Sequence, residues 1–372
     1  MIRVLCFGRY ADENFGGVER VVQNTVRALE GEVEYVNLVA GRRFRPVGED
    51  WHCEIVRAPS IASVASLPLC PTMPSIARRL HRERAFDLAH LHFPDPMSHL
   101  AALALPRTLK TVITWHSDIV RQRNLVKPYL PFQKRFVSRA EAVIAATPAH
   151  FESMPQLRAL TRPEQRVVVP YGFDLAPLRA PHPFAAELRR RHGSRIVFAL
   201  GRHVYYKGFE YLLRAMAAVP DAVLLLGGEG PLTADLKRIA AQSGAAGRIV
   251  FAGLIPESDL GAYYQASDVF CLPSVEPSEA FAVVQVEAMS CGKPVVCADL
   301  KNGVTWVNQD GKTGLVVPPR DSEALAGALR RLLDDADLRE RMGAAGSRRA
   351  DEQFSLAALR EGTLKVYRRA LA

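Results

Sequence analysis

The sequence predicts an α/β protein made of two doubly wound, Rossmann-like domains, and three observations carry that prediction. Short apolar runs alternate with helical patterns along the whole chain, the signature of parallel sheets joined by crossover helices. At 372 residues the chain exceeds the size at which a single core stops growing, so two domains of ordinary size are expected. The stretch at 176–183, Ala-Pro-Leu-Arg-Ala-Pro-His-Pro, reads as the linker, since proline interrupts both helix and strand. This gives a first domain over residues 1–178, a second over 179–354, and a closing helical segment at 355–372.

In the first domain, strands are expected at 2–7, 34–40, 53–57, 87–92, 111–115, 142–147 and 167–170. They are short, nearly continuous apolar runs, as strands covered on both faces should be. Helices are expected around 18–29, 75–83, 96–105 and 131–139. In the second domain, strands fall at 195–200, 222–227, 248–253, 269–272, 294–298 and 314–317, with helices between them. Helical periodicity returns at 321–333 and 356–370. No short-period repeat or low-complexity tract interrupts the pattern.

Six cysteines occur, mostly in apolar neighbourhoods and without a Cys-x-x-Cys pair. That predicts reduced, buried thiols and a cytosolic address rather than disulfides or zinc. The opening residues Met1-Ile-Arg-Val-Leu-Cys-Phe7 lack the basic region and small-residue cleavage site of a signal peptide. No apolar run approaches the ~18 to 20 residues that span a bilayer. The expectation is a cytoplasmic protein, soluble or attached peripherally to the inner face of the membrane.

Glu279 and Glu287 lie eight residues apart around the apolar run Ala280-Phe281-Ala282-Val283-Val284. A surface helix would alternate an apolar stripe with polar residues, so this run reads as a buried helix with a carboxylate at each end. Eight helical residues span ~12 Å, enough for one acid to meet a sugar and the other a group a nucleotide's length away. The plainer reading has Glu279 favoured by the helix dipole and Glu287 as a satisfied core carboxylate.

A second constellation follows a predicted strand: Gly201-Arg202, then Lys207-Gly208 before the helical pattern beginning at Phe209. Arg offers a planar fork and Lys a point charge for phosphate oxygens, and a helix N-terminus beside them supplies free N–H groups. Together they suit a diphosphate without a metal, and the loop lies at the end of the sheet where α/β proteins bind ligands. Either cation alone would read as a solvated loop residue. Gly227-Gly-Glu-Gly-Pro231 is not a full dinucleotide fingerprint and is expected, with Gly253 and Leu254, to shape a base pocket. Gly16-Gly17 precedes the first long helix, where a glycine turn admits an anion or is an ordinary turn. His90 and His92 alternate on a strand and read as structural, and Asp118 either orients His116 or caps the following turn.

Taken together, Glu279-x7-Glu287, Gly201-Arg202 with Lys207-Gly208, Gly16-Gly17-Val18-Glu19 and Trp115-His116-Ser117-Asp118 resemble the retaining glycosyltransferases of family 4. The resemblance implies the GT-B architecture, two Rossmann-like domains facing across a cleft, with no cofactor and no metal. It implies that Arg202 and Lys207 hold the donor diphosphate, that Glu279 contacts the transferred sugar, that Glu287 binds ribose hydroxyls, and that His116 lies by the sugar. The donor-binding set is then Gly16, Gly17, Arg202, Lys207, Gly253, Leu254, Glu279, Ala280, Phe281, Ala282, Val283 and Glu287, and the catalytic set His116, Arg202, Lys207 and Glu279. One departure stands out: where family members commonly carry Glu-Gly-Phe-Gly, this chain has Ala280 and Ala282, and a methyl group there bears on how closely the donor approaches. The stretch Gly201-Arg-His-Val-Tyr-Tyr-Lys-Gly-Phe209 is similar to bacterial enzymes that add mannose or a related deoxyhexose to lipid-linked surface polysaccharide, such as O-antigen. This implies a GDP-linked mannose or rhamnose donor and a polyprenyl-pyrophosphate-linked saccharide acceptor. A UDP-sugar donor, a nucleotide-sugar epimerase and a non-catalytic nucleotide-sugar binder are the rivals.

Charge points to the acceptor side. Of the net charge of +9, the first 180 residues carry +7. The densest part, 107–139, includes Arg121, Arg123, Lys134, Arg135 and Arg139 against the single acid Asp118. Phe132 and Phe136 lie four apart and would share a helix face, and basic helices with aromatic anchors lie on anionic membranes. The alternative is a solvated basic face over two core phenylalanines. No nucleic-acid motif accompanies the charge, so no nucleic-acid partner is expected.

Overall fold

The computed structural model describes residues 1–8, 17–41, 51–64, 67–118 and 128–372. These form two compact units, Met1–Phe173 with Ser355–Ala372, and Asp174–Phe354. In the first unit the strands are β1 (Ile2–Phe7), β2 (Val33–Gly41), β3 (Glu54–Pro59), β6 (Leu88–Phe93), β7 (Lys110–Trp115), β8 (Ala142–Ala145) and β9 (Arg166–Val168). Among the described residues they build one sheet in the order β3-β2-β1-β6-β7-β8-β9, parallel throughout. A small antiparallel pair, β4 (Ala62–Val64) and β5 (Leu67–Leu69), stands apart from it.

Alternation along β1 shows why this sheet is covered on both faces. Val4 and Cys6 pack with Val22 and Val26 of the helix Gly17–Ala28 and with Val366 and Tyr367 of the final helix Leu356–Leu371. Leu5 and Phe7 pack on the other side with Met73 and Leu80 of Met73–Arg84 and Met97 of Pro96–Ala102.

The second unit contains β10 (Ile196–Leu200), β11 (Val223–Gly227), β12 (Ile249–Gly253), β13 (Val269–Leu272), β14 (Val295–Ala298) and β15 (Gly314–Val317). Their order is β12-β11-β10-β13-β14-β15, again parallel throughout. Val197, Ala199, Leu224 and Leu226 bury one face against Leu212 and Leu213 of Phe209–Ala215 and Leu329 and Leu332 of Ser322–Asp334. On the other face Phe198 meets Tyr264 and Phe270 edge-on, with centroids 5.1 and 5.8 Å away.

Every strand expected from the sequence is present to within two residues, and both sheets are doubly wound. The stretch 176–183 is more than a tether: it includes the helical turn Ala176–Arg179, whose Leu178 and Ala180 carbonyls accept from Gln265 Nε2 at 2.8 Å. Arg179 pairs with Asp351 at 2.7 Å. In each sheet the chain reverses its direction of winding beside its first strand, between β1 and β6 and between β10 and β13. The carboxyl ends of strands at such a point are where open α/β sheets bind ligands.

Candidate functional site

At the second switch point, β10 and β13 run side by side, so the loops that leave them are neighbours. Gly201 and Arg202 leave β10; Tyr205–Lys207 form a short helical turn; Gly208 then starts the helix Phe209–Ala215. Gly208 has φ 64°, and a Cβ there would lie 2.1 Å from the carbonyl oxygen of Pro273. Only glycine allows this approach. Val275 N–H also donates to the Tyr206 carbonyl at 2.8 Å, so the two loops are joined through their backbones.

Their side chains meet as well. Lys207 Nζ is 2.5 Å from Glu279 Oε2, with both side chains about nine-tenths buried. Ser274 Oγ donates to the same oxygen at 3.0 Å. A buried pair of this kind is tolerated because each charge compensates the other, and removing one partner strands the other at a cost of ~3 to 5 kcal/mol. Arg202 differs. Its side chain is exposed, and among the described residues no hydrogen bond or ion pair engages it. The site therefore has one neutralised cation and one free one, beside the carboxyl end of β10.

Glu279 does not begin a helix. The helix starts at Val283 and runs to Ser290, and Glu279 lies four residues earlier, buried at the end of an exposed turn, where its N–H donates to the Glu276 carbonyl at 3.0 Å. Ala282 explains the difference: as the residue before the helix it has φ 59° and ψ 81°, a left-handed conformation that an L-residue adopts at a cost. Glu287 is within the helix, buried, and accepts from Tyr264 Oη at 2.7 Å. Burial, then the neighbouring Glu287 charge, pushes the Tyr264 phenol well above its ordinary range, so it stays a donor. Phe281 turns its ring onto Phe354, with centroids 5.7 Å apart, so its backbone is what it can present to a ligand.

Of the remaining expected donor residues, Ala280 and Val283 are half-buried. Gly253 ends β12, and its carbonyl accepts from Gly228 N–H at 2.7 Å. Leu254 beside it is 74% exposed, a large apolar surface with no core role. Gly17 opens the helix Gly17–Ala28, and among the described residues none would crowd a Cβ there. Gly16, Arg121 and Arg123 lie outside the described residues.

In the first unit, His116 follows β7 and is buried. Its Nε2 is 2.9 Å from His92 Nδ1, and its Nδ1 is 3.0 Å from Tyr171 Oη. His90 stacks on His92 at 4.7 Å and bonds Tyr367 Oη at 2.6 Å and Thr114 Oγ1 at 2.8 Å. Burial pushes His116 and His90 down to about 3, with the charge of His90 adding to the effect on His116. These rings are neutral at pH 7. Asp118 orients none of them; it accepts from Trp115 Nε1 at 3.1 Å and from the N–H groups of Gln156 and Leu157 at 2.8 and 3.2 Å. It thus ties β7 to the first turn of Pro155–Leu160.

The basic segment divides. Lys134, Arg135 and Arg139 are exposed on and just after the helix Leu130–Val137. Phe132 is 67% exposed, but Phe136 turns inward onto His99 at 4.4 Å and Phe93 at 6.0 Å. The two phenylalanines do not form a common outward face.

The family model described as Glycosyltransferase Family 4 matches residues 15–177, and the model described as Glycosyl transferases group 1 matches 183–349. D-rhamnosyltransferase WbpZ of Pseudomonas aeruginosa is 31% identical over 95% of this chain and 92% of its own. The chain belongs to glycosyltransferase family 4. O-antigen chain mannosyltransferase C of Escherichia coli is 27% identical to this glycosyltransferase over 98% of both chains. The structure of Anabaena Alr3699/HepE in complex with UDP superposes with a TM-score of 0.81 over 98% of this chain and 99% of that one, at 21% identity, and so shares the GT-B fold.

Two side chains of the glycosyltransferase's site were not singled out from its sequence. Ser274 could have been, since it follows β13 at the carboxyl end of a switch-point strand. Tyr264 could not: it reaches Glu287 across 23 residues, and nothing local marks it.

Proposed function

We propose that this protein is a retaining, metal-independent hexosyltransferase that moves mannose or rhamnose from a GDP-sugar to a hydroxyl of a lipid-linked saccharide in surface polysaccharide synthesis. The observation that carries the reading is the contact of Lys207 with Glu279 at the β10/β13 switch point, beside the free Arg202. A nucleoside diphosphate sugar offers both halves of that pair a new partner. Its diphosphate takes Lys207 and Arg202, and the hydroxyls of its sugar take the released carboxylate of Glu279.

In this reading the two cations stabilise the charge that develops on the leaving diphosphate, the electrostatic role that usually carries much of catalysis. Glu287, held by Tyr264, binds the ribose hydroxyls. Gly253 and Leu254 border the base, and the backbone from Ala280 to Val283 meets the sugar and phosphates, with Gly16 and Gly17 as further donor-binding residues. His116 is uncharged because it is buried, and it meets the sugar by exchanging its bond to His92 or to Tyr171. Retention follows from front-face attack in which a donor phosphate oxygen takes the acceptor proton, the site fixing geometry.

The choice of sugar is supported by the likeness to a mannosyltransferase and a rhamnosyltransferase. No described helix is long and apolar enough to cross a membrane. A peripheral site on the cytoplasmic face fits exposed Phe132 among Lys134, Arg135 and Arg139, with Arg121 and Arg123 as further members. A polyprenyl-pyrophosphate acceptor would be met at such an anionic surface.

Thermal-shift measurements with GDP, UDP and ADP test the donor: a ligand at a hundredfold excess over its Kd adds about 2.7 kcal/mol of stability. GDP is expected to stabilise most, and GDP-mannose to release GDP when acceptor is added. Stabilisation by UDP alone reassigns the donor; no response to any nucleotide and no donor consumption end the reading. Co-sedimentation with anionic vesicles should weaken with salt, which screens over about 8 to 10 Å. Equal binding to neutral vesicles would return the segment to a solvated basic face.

A further inference from the structure

The backbone that carries Glu279 is held from behind by two primary amides. Asn302, 4% exposed, occupies the N-cap of the short helix Gly303–Val307 after β14, where its Oδ1 accepts from Val304 N–H at 3.0 Å. Its Nδ2 donates to the carbonyl of Glu279 at 2.8 Å and to that of Pro277 at 3.3 Å. Gln285, fully buried in the helix Val283–Ser290, donates from Nε2 to the carbonyls of Phe281 at 3.0 Å and Val304 at 3.1 Å. Three alternate carbonyls of one loop, at 277, 279 and 281, therefore end on amide nitrogens, and both amides also engage Gly303–Val307.

An N-cap requires only an acceptor, and Ser or Asp serves as well as Asn. What the Asn amide adds is a donor on the same side chain. Here that donor is spent on the two carbonyls flanking Ser278, the second of them belonging to Glu279 itself. The Glu279 carboxylate is meanwhile fixed by Lys207 and Ser274, but Lys207 is the contact a diphosphate would withdraw. With it gone, the backbone anchor and Ser274 hold the acid.

We propose that Asn302 is a positioning residue for Glu279 in glycosyl transfer: it caps a helix with its oxygen and fixes the Glu279 backbone with its nitrogen. The inference rests on the reading of Glu279 as the carboxylate that meets the transferred sugar. A misplacement of about 1 Å at a reacting centre can lower the rate by about a hundredfold, so a side chain that never touches substrate can control turnover.

The test uses Asn302→Asp and Asn302→Ser in the full chain. Both keep an acceptor for Val304 N–H and remove the amide nitrogen: the aspartate variant has no donor, and the serine variant has one hydroxyl proton on a shorter arm in place of the two amide protons. The readouts are Tm, Kd for GDP, kcat and KM with GDP-mannose, and amide hydrogen exchange over residues 276–282. The expected result is a kcat lower by about ten- to a hundredfold and faster exchange in that loop, with Tm and GDP affinity near wild type. Wild-type kcat with wild-type exchange overturns the proposal. A loss of kcat matched by an equal loss of GDP-binding sites overturns it too, leaving Asn302 a purely structural cap. Faster exchange with no loss of turnover overturns it at the level of the reaction, and then Glu279→Gln separates the cases: an equally active glutamine variant means that the role of Glu279, not the anchor, was misread.

Discussion

The two switch points reconcile burial with polarity in opposite ways. Beside β6 and β7 the first unit buries His90, His92 and His116, and burial strips them of charge: all three are held far below the ordinary imidazole range. Beside β10 and β13 the second unit buries a cation against an anion, Lys207 on Glu279. A neutral array of rings and hydroxyls can exchange hydrogen bonds with uncharged hydroxyl groups, while a compensated ion pair can be divided by a ligand that is itself charged at one end and hydroxylated at the other. The first switch point therefore holds its polar groups without charge, and the second holds its charges in balance.

The largest effect expected from breaking this contrast is at the cations. Losing one donor to a developing anion costs ~3 to 4 kcal/mol, a rate factor of about a hundred to a thousand, for both Arg202→Ala and Lys207→Ala. The two should differ in stability. Arg202 has no partner to strand, whereas Lys207→Ala leaves Glu279 buried and uncompensated, so its Tm should fall as well. Near-wild-type kcat in either variant removes the diphosphate assignment, and equal Tm values would mean that the ion pair contributes nothing to the free protein.

The carboxylates should separate next. Glu279→Gln is expected to slow transfer while tightening binding of GDP alone, because the diphosphate no longer competes with a carboxylate for Lys207. Glu287→Gln should weaken GDP and GDP-sugar alike, since ribose contacts persist from ground state to transition state; a hydrogen bond to a charged group is worth ~1.5 to 3 kcal/mol, or roughly ten- to a hundredfold in Kd. Titration calorimetry with GDP, set beside kcat, decides between the roles, and the reverse pattern would exchange them.

For the first unit the test is pH. An unfolded imidazole takes up its proton near 6.5, whereas His90 and His116 do so in the folded state only at about 3. Between those values the unfolded chain binds more protons. The stability contributed is therefore complete above pH 6.5 and is lost as pH falls toward 3, at about 1.4 kcal/mol per pH unit for each histidine. Urea midpoints should drop between pH 7 and pH 5, and His90→Gln should flatten the slope. Identical midpoints at the two pH values would mean that these rings are protonated in place.

The smallest effect is expected at Ala282. Changing it to glycine relieves a left-handed alanine, worth about 1 to 2 kcal/mol, but adds backbone freedom to the unfolded chain, worth about 0.4 to 1 kcal/mol in the other direction. Ala282→Gly should therefore stabilise the protein by about 0 to 1.6 kcal/mol, and a change in KM for the donor would report on the methyl group rather than on the fold. A loss of several degrees in Tm would show that the methyl group is packed rather than strained.

These residues also show where the sequence was readable. Strands were found because parallel strands buried on both faces are runs such as Ile196–Leu200, whose apolar length is its own boundary marker. Glu279 reads as a helix end in the sequence because Ala280–Val284 is just as apolar, and nothing in the letters reveals that Ala282 turns left-handed. The 19-residue helix Ala336–Phe354 was missed for the opposite reason: part of its buried face is Gly343, Gly346 and Ala350, which give no apolar stripe. Arg202, Lys207, Glu279 and Glu287 stand out as candidates through their spacing and loop context, and the structure brings Lys207 and Glu279 into contact. Tyr264, Asn302 and the inward turn of Phe136 depend on contacts between distant segments, which local patterns do not encode.

The first unit's backbone has a further consequence at its rim. Phe173 and Ser355 are joined by a parallel bridge, and Gly172 makes room for the crossing, since a Cβ there would lie 2.6 Å from the Ser355 carbonyl oxygen. Residues 174–354 therefore leave and re-enter at adjoining points, as an insertion does, and because the two segments run the same way, closing those points directly takes a crossover loop rather than a tight turn. Such a layout suits exchange by recombination: a homologous segment could be grafted at the same two joints, leaving the host sheet and its final helix uninterrupted.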